Sequence, residues 1–380
     1  LGDGLHGTPQ YTQNGEYAFV NGNNLVNGRI IIKSDTKRVN RTQFEKYKKE
    51  LCDRTIMVSI NGTLGNVALY NGEKIILGKS ACYFNVLESV DKDFIRYVVS
   101  SPSFRTYLET NATGTTIKNI SLKQMRDYSF YIPGYETQKR ISGILRFIDD
   151  RISLNTAINE NLESQAQEIF KSWFVDFEPF GGVKPEEWTE KSVYDLAEYI
   201  NGAAFKKNEY STEGIPIIKI AELKNGITDS TQYCCIEKDE KYYFDNKAIL
   251  FSWSGNPETS IDTFLWYRGK AILNQHTFRV VSKYNAPAFT YFLLKYLKPK
   301  FTHIASNKQT TGLGHVTVSD LKRLQFSCST DAIEEFEKMS KPLFDMIYNT
   351  YVESNRLSKL RDVLLPKLMN GEIDVSEIKI

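Results

Sequence analysis

Residues 138–173, with the sequence QKRISGILRFIDDRISLNTAINENLESQAQEIFKSW, decide how this chain is expected to fold. Apolar residues recur along them at alternating intervals of four and three positions, which is the spacing of a coiled-coil seam. Two polar residues, Asn155 and Asn159, stand at the centre of this seam. The segment therefore predicts one long helix whose apolar stripe needs a partner helix to cover it.

The partner helix is predicted in residues 331–380, which repeat the pattern after about 195 positions. The second seam also has a polar centre, at Thr350 and Ser354. It departs from the apolar pattern at Ser340 and Arg361. Because the two seams match, we expect the helices to pack on each other as an antiparallel pair.

Two interpretations of the polar centre remain open. It is either a solvated notch, or a layer in which Asn155 and Asn159 meet Thr350 and Ser354 and fix the register of the pair. The residues assigned to the seam of the two helices are Ile141, Leu145, Ile148, Ile152, Asn155, Asn159, Leu162, Leu343, Ile347, Leu357 and Leu364.

The rest of the chain is also duplicated, at an offset that stays between 193 and 198 residues. LGDGLHG (1–7) aligns with LAEYING (196–202), which pairs Gly7 with Gly202. These matches predict two copies of one module in tandem, related by an approximate two-fold. The other matched stretches are NNLVNGRI (23–30) with AELKNGIT (221–228), TIMVSINGT (55–63) with AILFSWSGN (248–256), and GTTIKNISLKQMRDYSF (114–130) with QTTGLGHVTVSDLKRLQF (309–326).

Each copy is rich in predicted strands. Short β-branched and aromatic runs, such as TIMVSI (55–60) and AILFSWS (248–254), are bounded by turn residues, as is typical of strands and hairpins. Short helices are predicted at 94–100 and 288–297. The predicted fold class is α+β: two similar strand-rich domains with curved, mainly antiparallel sheets, separated by two long antiparallel coiled-coil helices.

The net charge of +2 conceals an alternation along the 380 residues. Residues 1–134 contain 17 basic and 12 acidic side chains, and residues 191–330 contain 18 and 13. The two helical stretches are acidic, with 6 basic and 11 acidic side chains in 135–190 and 7 and 10 in 331–380. This distribution favours basic modules that meet phosphate and acidic helices that meet protein.

The cysteine content and the apolar runs indicate the cellular compartment of the protein. The five cysteines, Cys52, Cys82, Cys234, Cys235 and Cys328, are odd in number and fit no zinc spacing. They predict free thiols in the reducing cytoplasm. Since no apolar run approaches the roughly 18 residues of a membrane span, no contact with a membrane is expected.

Catalytic motifs are not found. GDGLHG (2–7) matches the dinucleotide-binding pattern G-x-G-x-x-G, but it neither follows a strand nor opens a helix, so we interpret it as a loop. The four histidines have no metal-ligand spacing, and neither a P-loop nor a nucleophile elbow occurs. The acidic pairs Asp149-Asp150 and Glu334-Glu335 are expected to be solvated helix-face charge. No bound metal or cofactor is predicted.

Three polar loops recur at matching places in the two modules. They are 61–63 with 254–256, 78–80 with 274–276, and 113–119 with 307–315. Taken singly, each could be ordinary turn chemistry, but Asn, Gln, Lys, Ser and Thr side chains also contact phosphates and base edges. The predicted DNA contacts are Asn61, Thr63, Lys79, Ser80, Thr115, Thr116, Lys118, Asn119, Ser254, Asn256, Gln275, His276, Lys308, Gln309, Thr310, Thr311 and His315.

The chain resembles a known family, the specificity subunits of type I restriction–modification systems. The stretch YIPGYETQKRISGILRFIDDRISLNTAINENLESQAQEIFKSWFVDFEPF (131–180) resembles the first conserved region of that family. SNRLSKLRDVLLPKLMNGEI (354–373) resembles the second. The resemblance covers essentially the whole chain.

The resemblance implies a subunit without catalytic activity. Each recognition domain of the family reads one half of a split double-stranded DNA target, and the paired helices space the domains and dock two methyltransferase subunits. Restriction subunits join through the complex. S-adenosylmethionine is expected on the methyltransferase subunits rather than on this chain.

The resemblance also implies a division of the chain. Residues 1–134 and 181–330 take the places of the two target recognition domains, and 135–180 and 331–380 those of the spacer helices. The second module begins with the lead-in KPEEWTEKSVYDLAEYI (184–200), which has no counterpart in front of Leu1. We therefore expect a trimmed or differently started N-terminus.

Two other functions are compatible with parts of the sequence. A protein-interaction scaffold with two tandem modules that bind polypeptides or sugars would bind its ligands without steep salt dependence. A nucleotide-dependent enzyme would use GDGLHG to bind NAD or ATP.

Overall fold

The computed structural model describes residues 1–26, 28–309 and 312–378. The chain divides into two compact units. Unit 1 comprises Leu1–Asp150 together with Leu357–Ile380, and unit 2 comprises Arg151–Arg356. Both boundaries fall inside the long helices, so each of these helices belongs partly to one unit and partly to the other.

The described residues of unit 1 form short strands and short helices, together with the first part of one long helix and the last part of another. The strands are β1 (Gly2–Asp3), β2 (Tyr17–Val20), β3 (Leu25–Val26), β4 (Arg29–Ile30), β5 (Arg38–Val39), β6 (Thr55–Ser59), β7 (Val67–Leu69), β8 (Ile75–Leu77) and β9 (Ala81–Asn85). The helices are α1 (Arg41–Tyr47), α2 (Lys92–Ser100), α3 (Pro102–Asn111), α4 (Leu122–Asp127) and the long α5 (Tyr135–Phe174).

Unit 2 has the same kinds of element. Its strands are β10 (Thr189–Ser192), β11 (Ala197–Asn201), β12 (Tyr210–Ser211), β13 (Ile215–Ile218), β14 (Tyr233–Cys234), β15 (Tyr243–Phe244), β16 (Ile249–Ser252), β17 (Ser254–Gly255), β18 (Asp262–Leu265), β19 (Ala271–Leu273), β20 (Thr277–Ser282), β21 (Gly314–His315) and β22 (Gln325–Cys328). Its helices are α6 (Val193–Leu196), α7 (Ile220–Asn225), α8 (Pro257–Ser260), α9 (Pro287–Tyr296), α10 (Lys298–Asn307), α11 (Val318–Arg323) and the long α12 (Thr330–Met369).

The sheets of the two units have the same plan, which confirms the predicted α+β repeat. The strand order β1-β9-β6-β7 in unit 1 corresponds to β11-β20-β16-β18 in unit 2, and all of these pairs are antiparallel. A second sheet in each unit contains one parallel pair, β2 with β8 and β13 with β19. The expected mainly antiparallel sheet is therefore divided in each unit between two larger sheets, of which the second is of mixed type. Two-stranded antiparallel sheets accompany them, β3 with β4 in unit 1 and β10 with β22 and β17 with β21 in unit 2.

Two sequence-based bounds differ from the structure. In the segment 135–180 the α-helix ends at Phe174, and a single 3-10 turn at Glu178–Phe180 follows Phe177, whose φ of 54° breaks the helix. The segment 331–380 is helical only to Met369. There Gly371, with φ 73°, allows the Glu372 N–H to donate to the Lys367 carbonyl at 2.9 Å and close the last turn. No helix in the described ranges is both long and apolar enough to cross a membrane.

In unit 1 the beginning of α5 packs against the end of α12. Ile141 and Leu145 share one buried core with Leu365 and Leu368, so the two segments pair in opposite directions. Leu364 was assigned to the seam from the sequence, but it is only half-buried and Leu365 takes the buried position. Successive residues of an α-helix point about 100° apart, so the stripe of α12 that meets α5 is the one that contains Leu365 and not Leu364.

The same shift of the buried position by one residue appears in unit 2. Phe344 is buried where Leu343 was expected, and Leu343 is half-buried. The remaining apolar residues of the predicted seam divide into the buried Ile148, Leu162 and Ile347 and the half-buried Ile152 and Leu357.

The polar centre of the seam is a buried layer rather than a solvated notch. Asn155 and Asn159 are only 1% and 4% exposed. The Thr350 hydroxyl donates to Oδ1 of Asn159, as the register interpretation expects. Asn155 differs from that interpretation, because its Nδ2 donates to Glu353 at 3.0 Å, and the longer Glu353 side chain takes the place expected for Ser354.

Asp149 was expected to be solvated helix-face charge, and this was wrong. Its carboxylate accepts hydrogen bonds from Arg361 Nη1 at 2.9 Å, from the Tyr97 hydroxyl at 2.7 Å and from Arg96 Nη1 at 3.2 Å. Burial alone would lower the pKa of Arg361, but its bonds to Asp149 and Asp362 outweigh this and raise it. The departure of Arg361 from the apolar seam is thus an ion pair to the partner helix.

Equivalent glycines lie directly after β1 and β11, where the backbone passes close to the residues that follow β8 and β19. A Cβ on Gly202 would lie 2.2 Å from the Asn274 carbonyl oxygen, and a Cβ on Gly4 would lie 2.1 Å from the Gly78 carbonyl oxygen. Gly7, which the sequence alignment paired with Gly202, has no atom within 4 Å of its Cβ position. The alignment was wrong by three residues here, and Gly4 is the counterpart of Gly202.

We expect Gly4→Ala and Gly202→Ala each to lower the free energy of unfolding by about 2–4 kcal/mol, because the added methyl group collides with backbone that has no room to retreat. Gly7→Ala is the matched control and should change it by less than about 0.5 kcal/mol. Denaturant unfolding measures both, and equal losses for Gly4→Ala and Gly7→Ala would contradict the assignment.

Asp149→Ala should destabilise unit 1 by about 2 kcal/mol or more, because it leaves the half-buried Arg361 without its main partner. The exposed neighbour Asp150 gives the control, and Asp150→Ala should stay within about 0.5 kcal/mol of the wild type. Thermal unfolding of the two variants decides the point. A loss of equal size in both would mean that Asp149 acts only through helix charge.

Candidate nucleic-acid interface

The three polar loops of unit 1 lie together, although they are far apart in the sequence. The first loop joins the third where Asn61 Nδ2 donates to Asn119 Oδ1 at 3.1 Å and the two residues form a β-bridge. The second loop is tied to the first where the Ile60 N–H donates to the Ser80 carbonyl at 2.9 Å. The hairpin of β6 and β7 and the turn after β8 thus present their polar tips side by side.

Unit 2 builds the same arrangement from different residues. Ser254 in β17 pairs with His315 in β21, which joins the first and third loops. The Trp253 ring lies 5.7 Å from the His276 ring, which joins the first loop to the second. The loop cluster is therefore a repeated feature of the fold and not an accident of one module.

Solvent exposure separates the predicted contacts into two groups. Exposed side chains are those of Thr63, Lys79, Thr115, Thr116, Lys118, Asn256, Gln275, His276, Gln309 and His315. Half-buried side chains are those of Asn61, Ser80, Asn119, Ser254 and Lys308. Thr310 and Thr311 lie outside the described residues.

Several of the predicted DNA contacts also bond to other parts of the loops. Asn256 caps helix α8, where its Oδ1 accepts hydrogen bonds from two backbone N–H groups at 3.1 Å. The Ser80 hydroxyl donates to Asn21 Oδ1 at 3.0 Å and accepts from the Gly22 N–H at 2.8 Å. Asn61 and Asn119 hold each other. In their present contacts these four side chains fix loop geometry.

Lys308 is the clearest case of a supporting residue. Its ammonium lies 2.5 Å from Asp320, whose side chain is only 6% exposed. Burial raises the pKa of Asp320, but the ion pair with Lys308 and hydrogen bonds from Thr317 outweigh it and lower the pKa below its ordinary value. The pair anchors the third loop of unit 2 to the N-terminus of α11.

The turn at residues 21–24 also belongs to the cluster and was not predicted from the sequence. Its Asn21 and Gly22 bond to Ser80, and Asn23 is exposed beside them. The available signal was the polar run Asn-Gly-Asn-Asn, which directly follows the residues of β2. The equivalent position in unit 2 is occupied by helix α7.

The exposed side chains of the cluster are hydrogen-bond donors and acceptors on flexible stems, of the kinds that meet phosphate oxygens and base edges. Within the described part of the chain, no group of three or more His, Cys, Asp or Glu side chains is placed to hold a metal ion. All five cysteines are free.

Comparison with known proteins agrees with this picture. Residues 6–164 and 185–358 each match the family model of the type I restriction modification DNA specificity domain. The type I restriction enzyme MjaIX specificity subunit of Methanocaldococcus jannaschii is 26% identical over 391 residues, which cover 96% of this chain and 88% of that protein. The HindI specificity subunit of Haemophilus influenzae is 25% identical over 335 residues, covering 68% and 72%.

A solved structure shares the fold. The crystal structure of a type I restriction–modification system S subunit from M. genitalium superposes with a TM-score of 0.53 at 19% identity. The match covers 97% of this chain and 92% of that one.

Removal of the Lys308 charge tests whether this residue supports the fold or contacts DNA. We expect Lys308→Met to destabilise unit 2 at neutral pH. The lowered pKa of Asp320 contributes stability that is full above the ordinary carboxyl pKa of about 4 and is lost as the pH falls through the lowered value, so the difference from wild type should narrow below about pH 4. Thermal unfolding over a pH series measures it.

The exposed Lys300 on α10 provides the control. Lys300→Met should leave stability unchanged at every pH. If Lys308→Met weakened DNA binding while leaving stability untouched, Lys308 would be a DNA contact after all.

Proposed function

The chain belongs to the type I restriction–modification DNA specificity family, and from this we propose that it is the non-catalytic subunit that reads a split double-stranded DNA target. The observation that supports this most directly is the repeated loop cluster. Each unit presents exposed amide, hydroxyl, imidazole or ammonium groups at the same edge of the same frame. Two similar readers in one chain suit a target with two half-sites.

In this proposal residues 1–134 and 181–330 are the two target recognition domains. The exposed loop side chains supply base and phosphate contacts, while the supporting residues hold the loops in place. The exposed residues determine the target sequence, because they differ between the two units, whereas the sheets that carry them have the same strand order.

The spacer helices, residues 135–180 and 331–380, are proposed to dock two methyltransferase subunits, and restriction subunits through the complex. Their charge supports protein rather than DNA as the partner. Large apolar side chains on them are also exposed, and exposed apolar surface is typical of interaction sites. These are Phe147 (72%), Leu154 (51%), Met346 (52%), Leu360 (47%) and Val363 (56%).

S-adenosylmethionine is proposed to bind to the methyltransferase subunits. A cytoplasmic location is proposed because the DNA target is there and the five cysteines are free thiols.

Exchange of residues 1–134 for the corresponding domain of another specificity subunit tests the proposal. Methylome sequencing of a host that carries the exchanged chain with its methyltransferase should show a change in one half of the methylated target and none in the other. The physical reason is that each half is read by its own unit.

Insertion of whole helical turns into both α5 and α12 is the companion control, and it should change the gap between unchanged halves. A change in both halves after the domain exchange, or an unsplit target in the wild type, would contradict the proposal.

A further inference from the structure

A short turn occurs at the same place in both units, at residues 33–36 before β5 and at residues 228–231 before β14. In unit 1 the Lys33 N–H donates to the Thr36 hydroxyl at 2.8 Å, and the Thr36 N–H donates to the Lys33 carbonyl at 3.1 Å. In unit 2 Thr228 and Thr231 make the same two bonds, both at 2.9 Å. The turns therefore correspond residue by residue.

The residue after each turn confirms the correspondence. The Lys37 carbonyl accepts from Phe19 N–H at 2.8 Å, and the Gln232 carbonyl accepts from Ile217 N–H at 2.8 Å. Phe19 lies in β2 and Ile217 lies in β13, which occupy the same position in their sheets.

The two turns differ in charge. Residues 33–38 read KSDTKR, with three basic side chains and one acidic, whereas residues 228–233 read TDSTQY, with one acidic and no basic side chain. Lys33 and Lys37 are exposed in unit 1, and Thr228 and Gln232 are exposed in unit 2. The turn itself thus presents two ammonium groups in unit 1 and neutral groups in unit 2. In unit 2 the ammonium of Lys219, which precedes α7, donates to Oε1 of Gln232 and lies over the ring of Tyr210 at 4.8 Å from the ring centre.

The turn of unit 1 adjoins the loop cluster. The Lys33 ammonium donates to the Asn23 carbonyl at 3.4 Å, and the preceding residue Gly22 bonds to Ser80 of the second loop. Lys37 lies over the ring of Tyr11 at 5.4 Å from the ring centre, and Tyr11 is 41% exposed. Both lysines are therefore at the end of the sheet where the reading loops are.

From these contacts and charges we infer, on the basis of the proposed function, that Lys33 and Lys37 contact DNA phosphates beside the half-site read by unit 1, and that in unit 2 Lys219 takes the place of Lys37 while Thr228 supplies no counterpart of the Lys33 ammonium. An exposed ammonium group near a duplex displaces condensed counterions from the phosphate backbone, whatever the base sequence. The two halves of the target are thus held unequally, because the turn region of unit 1 supplies one more phosphate contact than that of unit 2.

The repeat itself supplies the test variants. Lys33→Thr with Lys37→Gln gives unit 1 the residues of unit 2, and Thr228→Lys with Gln232→Lys does the reverse. Binding of the full chain to a mixed-sequence duplex, long enough for both units, is measured by fluorescence anisotropy over a series of NaCl concentrations. The slope of log K against log salt should fall in magnitude by about 1.8 in the first variant, at about 0.9 per phosphate contact, and should rise in the second.

The matched control removes the same two charges elsewhere in unit 1. Lys46 and Lys48 are exposed at helix α1, whose Phe44 stacks on Tyr17 at the opposite end of β2 from Lys37. Lys46→Thr with Lys48→Gln should change the slope by much less than the turn variant. Circular dichroism and thermal unfolding confirm that each variant is folded.

The outcomes separate this inference from the proposed function. If the wild type binds with a steep salt dependence but the turn variant keeps the same slope, or loses no more than the α1 control, the inference is wrong and the proposed function stands. If the wild type itself binds the duplex without salt dependence, the proposed function is contradicted.

Discussion

The long helices cannot leave their apolar stripes in water, and the arrangement of the chain follows from how those stripes are covered. In unit 1 the stripe of α5 lies in one core with α2, α3 and the end of α12. In unit 2 the other half of α5 lies in a core that includes α9, β16 and the beginning of α12. At about 25 cal/mol for each Å² of apolar surface, such burial is the dominant stabilising term.

Within that seam, polar groups determine which residues face each other. The buried layer of Asn155 and Asn159 costs stability relative to leucine, but a slipped register would leave its amides without partners. The ion pair of Arg361 with Asp149 has the same effect in unit 1. An apolar stripe alone permits several registers, whereas these contacts permit one.

The sequence predicted the architecture well because periodicity and β-branched runs reflect burial directly. It did not predict the partners of loop side chains within the chain, because a polar residue in a loop has several possible partners. Asn256 caps a helix and Lys308 pairs with Asp320, and both partners become apparent only when the chain is folded. Gly7 was preferred to Gly4 because the alignment contained no gap, whereas the backbone contact with Gly78 requires Gly4. The turn at residues 21–24 was missed because only its contact with Ser80 joins it to the loops.

Unit 1 is discontinuous in sequence, since it needs both Leu1–Asp150 and Leu357–Ile380, whereas unit 2 is a single continuous segment. This has a consequence for synthesis on the ribosome. All residues of unit 2 have been synthesised before the last part of α12 is made. Ile141 and Leu145 in unit 1, in contrast, cannot complete their core until Leu365 and Leu368 have been synthesised. Unit 1 therefore completes its core only after unit 2 has been translated, and contacts so distant in sequence form slowly.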